Sequence, residues 1–238
     1  SAEEVLDLIT TNTRLLIINS PANPTGGVVP KEEIDKLVSG LEAHPQVVVL
    51  SDEIYARMLY DGREHVSLMG YGSIRKRLIL LDGWSKTYAM TGWRMGYGVW
   101  PVDLIEPATR LAINCYSCVN ASAQWAGIAA LQGPQDAVDD MVAAFYERRQ
   151  FIVSALNQIP GFNCTNPGGA FYAFPNVSST GIGARTLQDK LLNEVGVATI
   201  AGTSFGDHGE GYLRFSYANS TENIERAIER IRVCLSDI

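Results

Sequence analysis

Three short, unbroken apolar runs, each closed by polar residues, constrain this chain more than any other feature. They are Leu15-Leu16-Ile17-Ile18 before Asn19, Val47-Val48-Val49-Leu50 before Ser51-Asp52-Glu53, and Leu78-Ile79-Leu80-Leu81 before Asp82-Gly83. Four apolar residues in a row, without alternation, suit a strand covered on both faces, as in a parallel sheet. Between the first two runs, the stretch from Pro30 to Val38 opens with proline and sets Glu32 and Glu33 in a first turn, so it reads as a helix. Strand, helix and strand make a βαβ unit with a right-handed crossover. Ligands of open α/β sheets bind beyond the carboxyl ends of the strands. Asn23, Asp52 and Lys86, which follow the three runs, are therefore expected to face one crevice. Any one of them alone reads equally well as a turn residue or a solvated side chain.

The texture changes after residue 95. Gly96 to Trp100 reads as a further strand and Ala121 to Leu131 as a helix. Gln135 to Ile159 reads as a long amphipathic helix with Met141, Phe145, Ile152 and Leu156 inward. Gly161 and Pro167-Gly168-Gly169 interrupt; the glycine pair is either a plain turn or a place where backbone approaches a substrate. Ala170 to Phe174 and Tyr212 to Tyr217 read as strands, and Thr221 to Leu235 as a closing helix. The expected organisation is an α/β domain over 1–133 and a smaller α+β domain over 134–238 that includes the long interdomain helix.

Composition sets limits on function. With 46% hydrophobic and 19% charged residues the chain can bury a core and is not disordered. The net charge is −7 with no basic stripe, which argues against nucleic acid as a partner. No stretch of about 18 uncharged apolar residues exists, so no membrane span is expected. The N-terminal SAEEVLDLIT lacks the basic start and apolar run of a signal peptide. Cys115 and Cys118 form a C-x-x-C inside the apolar stretch Leu111 to Leu131, without a second pair or a nearby histidine. They are expected to be buried packing residues rather than a redox or metal site, in a reducing, cytoplasmic compartment. No metal is expected.

Four segments carry more. Asn19-Ser20-Pro21-Ala22-Asn23-Pro24-Thr25-Gly26, Ser51-Asp52-Glu53-Ile54-Tyr55 and the stretch SKTYAMTGWRMGY from Ser85 to Tyr97 resemble the signature segments of class I/II aminotransferases, the aspartate-aminotransferase fold type. Tyr212-Leu213-Arg214-Phe215-Ser216 resembles that family's carboxylate-binding strand. The Ser-Lys segment is the most specific of the four, and together they span nearly the whole chain in order. The resemblance implies a three-layer α/β fold type I large domain, partial here, plus a smaller C-terminal α+β domain. It also implies pyridoxal 5'-phosphate as cofactor, transfer of an amino group between an L-amino acid and a 2-oxo acid through a Schiff base, and a homodimer in the full-length protein.

The roles implied by the resemblance follow residue by residue. Lys86 holds the cofactor as an imine and acts as the base at the substrate α-carbon. Asp52 pairs with the ring nitrogen and keeps the ring an electron sink. Asn23 and Tyr55 hydrogen-bond the ring hydroxyl oxygen, and the Asn23–Pro24 bond is a candidate for cis. Arg94 binds the phosphate, and Arg214 grips the substrate α-carboxylate with a bidentate fork; its structural alternative is an ion pair closing a strand. Arg148, Arg149, His44, His65 and His208 read as ordinary surface residues.

Two features depart from the family pattern. Gly83 stands where the family usually has a serine, three positions before the lysine. The family's long portion ahead of the NPTG segment has no counterpart in residues 1–16, which reads as a truncation. Leu111 to Tyr146 contains no Lys or Arg, which weakens an aspartate assignment and leaves neutral or aromatic amino acids open. Rival readings are a β-lyase of the same fold, the effector-sensing domain of a transcription regulator, and an inert remnant.

Overall fold

The computed structural model describes residues 1–236 and divides into two compact units, Ser1–Pro21 with Val28–Val138, and Ala22–Gly27 with Asp139 onward.

The first unit begins with α1 (Ala2–Asp7), capped by Ser1 in a capping box with Glu4. It continues through β1 (Leu15–Asn19), α2 (Lys31–Leu41), β2 (Val48–Asp52), β3 (Leu78–Gly83), β4 (Gly96–Val99), α3 (Val102–Tyr116) and α4 (Ala121–Gln132). The sheet order is β1-β2-β3-β4. The first three strands are parallel, with Asn19 opposite Asp52 and Asp52 opposite Leu81; β4 is antiparallel and sets Gly96 opposite Gly83. This register brings the polar ends of β1, β2 and β3 to one edge. The core beneath joins Ile34, Leu37 and Leu41 of α2 to Val49, Leu78 and Ile74.

Burial on both faces holds for β3, is only partial on one face of β2, and fails for β1, where Ile17 is 63% exposed and Leu15 is also exposed. The apolar stretch Leu111 to Leu131 is not one helix: α3 ends at Tyr116, Ser117 turns through φ 61°, and α4 restarts after the Asn120 cap. The expectation of buried packing cysteines fails here. Cys115 and Cys118 are both exposed, because α3 buries none of its residues and Cys118 falls in the break.

Helix α5 (Asp136–Leu156) carries the chain into the second unit, followed by β5 (Tyr172–Ala173), α6 (Ala184–Val195), β6 (Ile200–Ala201), β7 (Leu213–Ser216) and α7 (Thr221–Cys234). The three strands form an antiparallel sheet in the order β5-β7-β6. Phe145, Ile152 and Leu156 of α5 are buried as expected, and Met141 is half-buried. Phe145 packs against the rings of Phe171 and Tyr217. Arg149, expected at the surface, is 1% exposed with its guanidinium 5.5 Å from the Tyr146 ring. It lies one helical turn from Phe145 and so shares the face that α5 buries.

The units part between Val138 and Asp139, inside α5, and Ala22–Gly27 groups with the second unit, neither of which the 1–133 and 134–238 division anticipates. The six residues fold on themselves through Gly26 N–H to Ala22 C=O (2.8 Å) and Ala22 N–H to Gly27 C=O (2.8 Å). Gly169 N–H then donates to Gly26 C=O (2.9 Å). Gly26 has φ +66°, and a Cβ there would stand 2.3 Å from Cβ of Pro167, so both conformation and contact require glycine. Among the described residues no helix is long and apolar enough to cross a membrane, and no group of three or more His, Cys, Asp or Glu could hold a metal ion.

Candidate functional site

In the first unit, Asp52 is the last residue of β2. Its Oδ1 accepts the Ile54 N–H (3.3 Å), and Asn19 Nδ2 donates to its carbonyl (3.1 Å). Burial pushes its carboxyl above the ordinary range; the Ile54 N–H opposes this, the charge of Glu53 adds to it, and Lys86 opposes it. Tyr55 is buried, and the Nζ of Lys86 lies 5.9 Å from the centre of its ring. The structure therefore brings Asp52, Tyr55 and Lys86 together at the carboxyl edge of β2 and β3.

Lys86 sits in a tightly wound segment after β3. Ala89 (φ 52°) donates its N–H to the Lys86 carbonyl, and the Tyr88 and Met90 N–H groups both donate to Trp84. Thr91 Oγ1 donates to the Ser85 carbonyl (2.8 Å), and Arg94 Nη1 donates to the Thr91 carbonyl (3.0 Å). These bonds bend Ser85 and Arg94 toward each other across an open cleft of about 380 Å³, lined by Ile54, Ser85, Lys86, Thr91, Arg94 and Gly96 among others. Arg94 is exposed and has φ 57°. Gly83 answers to sterics: a Cβ there would stand 2.8 Å from Gly96 Cα and 2.9 Å from the Met95 carbonyl oxygen. The β3–β4 approach leaves no room for the serine of the family pattern.

Asn23 and Arg214 belong to the second unit and meet there. Arg214 Nη1 donates to Asn23 Oδ1 (2.8 Å), and its guanidinium lies 4.7 Å from the Tyr172 ring centre and 5.1 Å from that of Phe205. Its Nε is buried without a hydrogen bond, and it forms no ion pair among the described residues. A half-buried guanidinium held by a neutral amide and two rings retains donors suited to a carboxylate. The Asn23–Pro24 bond is cis, and so is Ser20–Pro21.

Sequence reasoning passed over two further groups in the first unit. His65, expected at the surface, is largely covered, with Nε2 2.7 Å from Glu53 Oε2. Asp82 accepts from the Tyr97 hydroxyl (3.0 Å). Burial raises the acid's pKa, and burial with the Asp82 charge pushes Tyr97 up to about 12. The signal for the first was the adjacency of two acids at a strand end, since one of them must turn away from the ligand face.

The family model described as aminotransferase class I and II matches residues 1–231. An aspartate aminotransferase of Geobacillus stearothermophilus is 41% identical over 235 residues, covering 96% of this chain and 59% of that protein. The aromatic-amino-acid aminotransferase 2 of Thermococcus litoralis is 34% identical, covering 100% and 61%. The crystal structure of an aromatic aminotransferase from Pyrococcus horikoshii superposes with a TM-score of 0.94 at 36% identity, over 100% of this chain and 63% of that one. The chain thus spans about three fifths of the length of the curated relatives it matches.

Proposed function

The chain belongs to the class I and II aminotransferase family, and on that premise we propose that the protein moves an amino group between an L-amino acid and a 2-oxo acid. The observation that carries the reading is the amine of Lys86 over the Tyr55 ring beside a desolvated Asp52. The donor set fits pyridoxal 5'-phosphate. It offers an amine for the aldehyde, a carboxylate for the ring nitrogen, a phenol for the ring oxygen, and a guanidinium beside a hydroxyl for the phosphate, with Ser85, Lys86 and Arg94 on one cleft. When bound, the cofactor supplies the sink for electrons released at the substrate α-carbon.

The residues then divide the work. Lys86 would hold the cofactor covalently and move the proton at the α-carbon. The Asp52 carboxylate would accept a hydrogen bond from the ring nitrogen and keep it protonated, and its raised pKa is what the cation opposite would offset. Tyr55 would donate to the ring oxygen, the role that the family pattern also assigns to Asn23. Arg94 neutralises phosphate charge, and Arg214 orients the α-carboxylate with two parallel N–H groups. We place the protein in a reducing cytoplasm, which suits four free cysteines, and assign it a homodimeric state, which suits exposed apolar side chains such as Leu111 and Trp125.

The test is incubation with pyridoxal phosphate, borohydride reduction and peptide mass spectrometry. Selective modification of Lys86, abolished in Lys86→Ala, is expected; scattered or absent modification counts against the reading. Turnover by Lys86→Ala should fall at least about a hundredfold. A panel of acidic, aromatic and neutral L-amino acids with 2-oxoglutarate separates transfer from elimination and ranks side-chain preference.

A further inference from the structure

Glu53 has no part in the roles above, yet it is 5% exposed and held at every polar group it owns. Its Oε1 accepts from Ser51 Oγ (2.9 Å), Ser67 Oγ (3.1 Å) and the Leu68 N–H (3.1 Å). Its Oε2 faces His65 Nε2 at 2.7 Å. Its N–H donates to the Leu81 carbonyl of β3 (2.9 Å), and its carbonyl accepts the Ala56 N–H (2.8 Å). Asp52 precedes it and Tyr55 follows two residues later, so the turn that presents both runs through this one anchored residue.

A buried carboxylate is costly unless paired and hydrogen-bonded. Burial pushes the Glu53 carboxyl up, but the bonds from His65, Ser67 and Ser51 outweigh burial and hold it below its ordinary range. The fold therefore maintains an ionised group one residue from Asp52, where an uncharged amide would make nearly the same bonds. That placement has a use if negative potential is wanted at the ligand face.

We infer that Glu53 is a positioning residue for the candidate site. It clamps the Asp52–Tyr55 turn to the 65–68 segment, and its charge reinforces Asp52 in holding a protonated nitrogen of the cofactor. The inference rests on the reading of Asp52 as the ring partner. The charged or titratable groups that share this field are Asp52 at the end of β2, His65, Asp82 of β3, Tyr97 of β4 and Lys86.

Two readouts separate clamp from charge. In cofactor-free protein, Glu53→Ala should raise amide hydrogen exchange through 53–58 and 65–70 by about tenfold or more, while Glu53→Gln stays near wild type. With pyridoxal phosphate bound, the pH titration of its visible absorbance should move to lower pH in Glu53→Gln by about half a unit or more, because a nearby negative charge that favours the protonated form is gone. An unmoved titration with Lys86 labelling intact, or unchanged exchange in Glu53→Ala, overturns the Glu53 assignment alone. Absent Lys86 labelling in the wild-type protein sinks the functional reading and takes this assignment with it.

Discussion

Asp52 and Glu53 are consecutive acids whose acidities move in opposite directions, and the difference can be measured. Burial raises the folded-state pKa of Asp52, so ionising it costs stability. That cost is absent below its unfolded value and fully present once pH exceeds the folded one. At neutral pH, Asp52→Asn should therefore raise the thermal midpoint of the cofactor-free protein, while turnover drops about a hundredfold or more with loss of the electron sink. Glu53, held below its ordinary range, contributes the reverse: stability present above its unfolded value and lost as pH falls through the folded one. Acid unfolding of Glu53→Gln should accordingly show a shallower loss than wild type. Lys86 and Asp52 stand out in the sequence as candidates because they follow apolar runs, and Arg214 because its segment resembles the family's carboxylate-binding strand. His65 and Arg149 do not, because burial of a polar side chain depends on which face it shares, and residue type alone favours the surface.

The same contrast holds for the elements. The apolar runs announce β1, β2 and β3 because four apolar residues in a row have few alternatives, even though β1 leaves Leu15 and Ile17 exposed. Strand β5 lies inside the apolar run Ala170 to Phe174, whereas β6 has two residues, too short for any period to register, and neither it nor the helix α6 before it stands out in the sequence. The split of α3 from α4 hangs on one positive φ at Ser117, which no hydrophobic pattern encodes. Gly83 is an element-level residue too, since its missing Cβ sets how closely β3 and β4 approach. Gly83→Ser is expected to destabilise by about 1–3 kcal/mol, read as a lower urea midpoint at unchanged slope, because backbone atoms of β4 must move. A neutral result would mean that the strands part without penalty.

For the molecule as a whole, the net charge of −7 opposes association while the first unit exposes Val102, Leu111, Ile113, Tyr116 and, at 74%, Trp125. These exposed side chains support the proposed self-association. Sedimentation should detect concentration-dependent association, weakened about tenfold by Trp125→Glu with little change in circular dichroism; a monomer at all concentrations would contradict it. The segment Ala22–Gly27 adds a dimension of time. It groups with a unit whose remaining residues begin at Asp139, so on the ribosome it is made before the roughly 110 residues of Val28–Val138. At about 5–20 residues per second the loop that carries Asn23 waits on the order of 5–20 s for Arg214's part of the chain to start emerging. The hydrogen bond between them thus joins a segment made before Val28–Val138 to one made after it, and cutting the gene at residue 138 would leave the second unit without its Ala22–Gly27 segment.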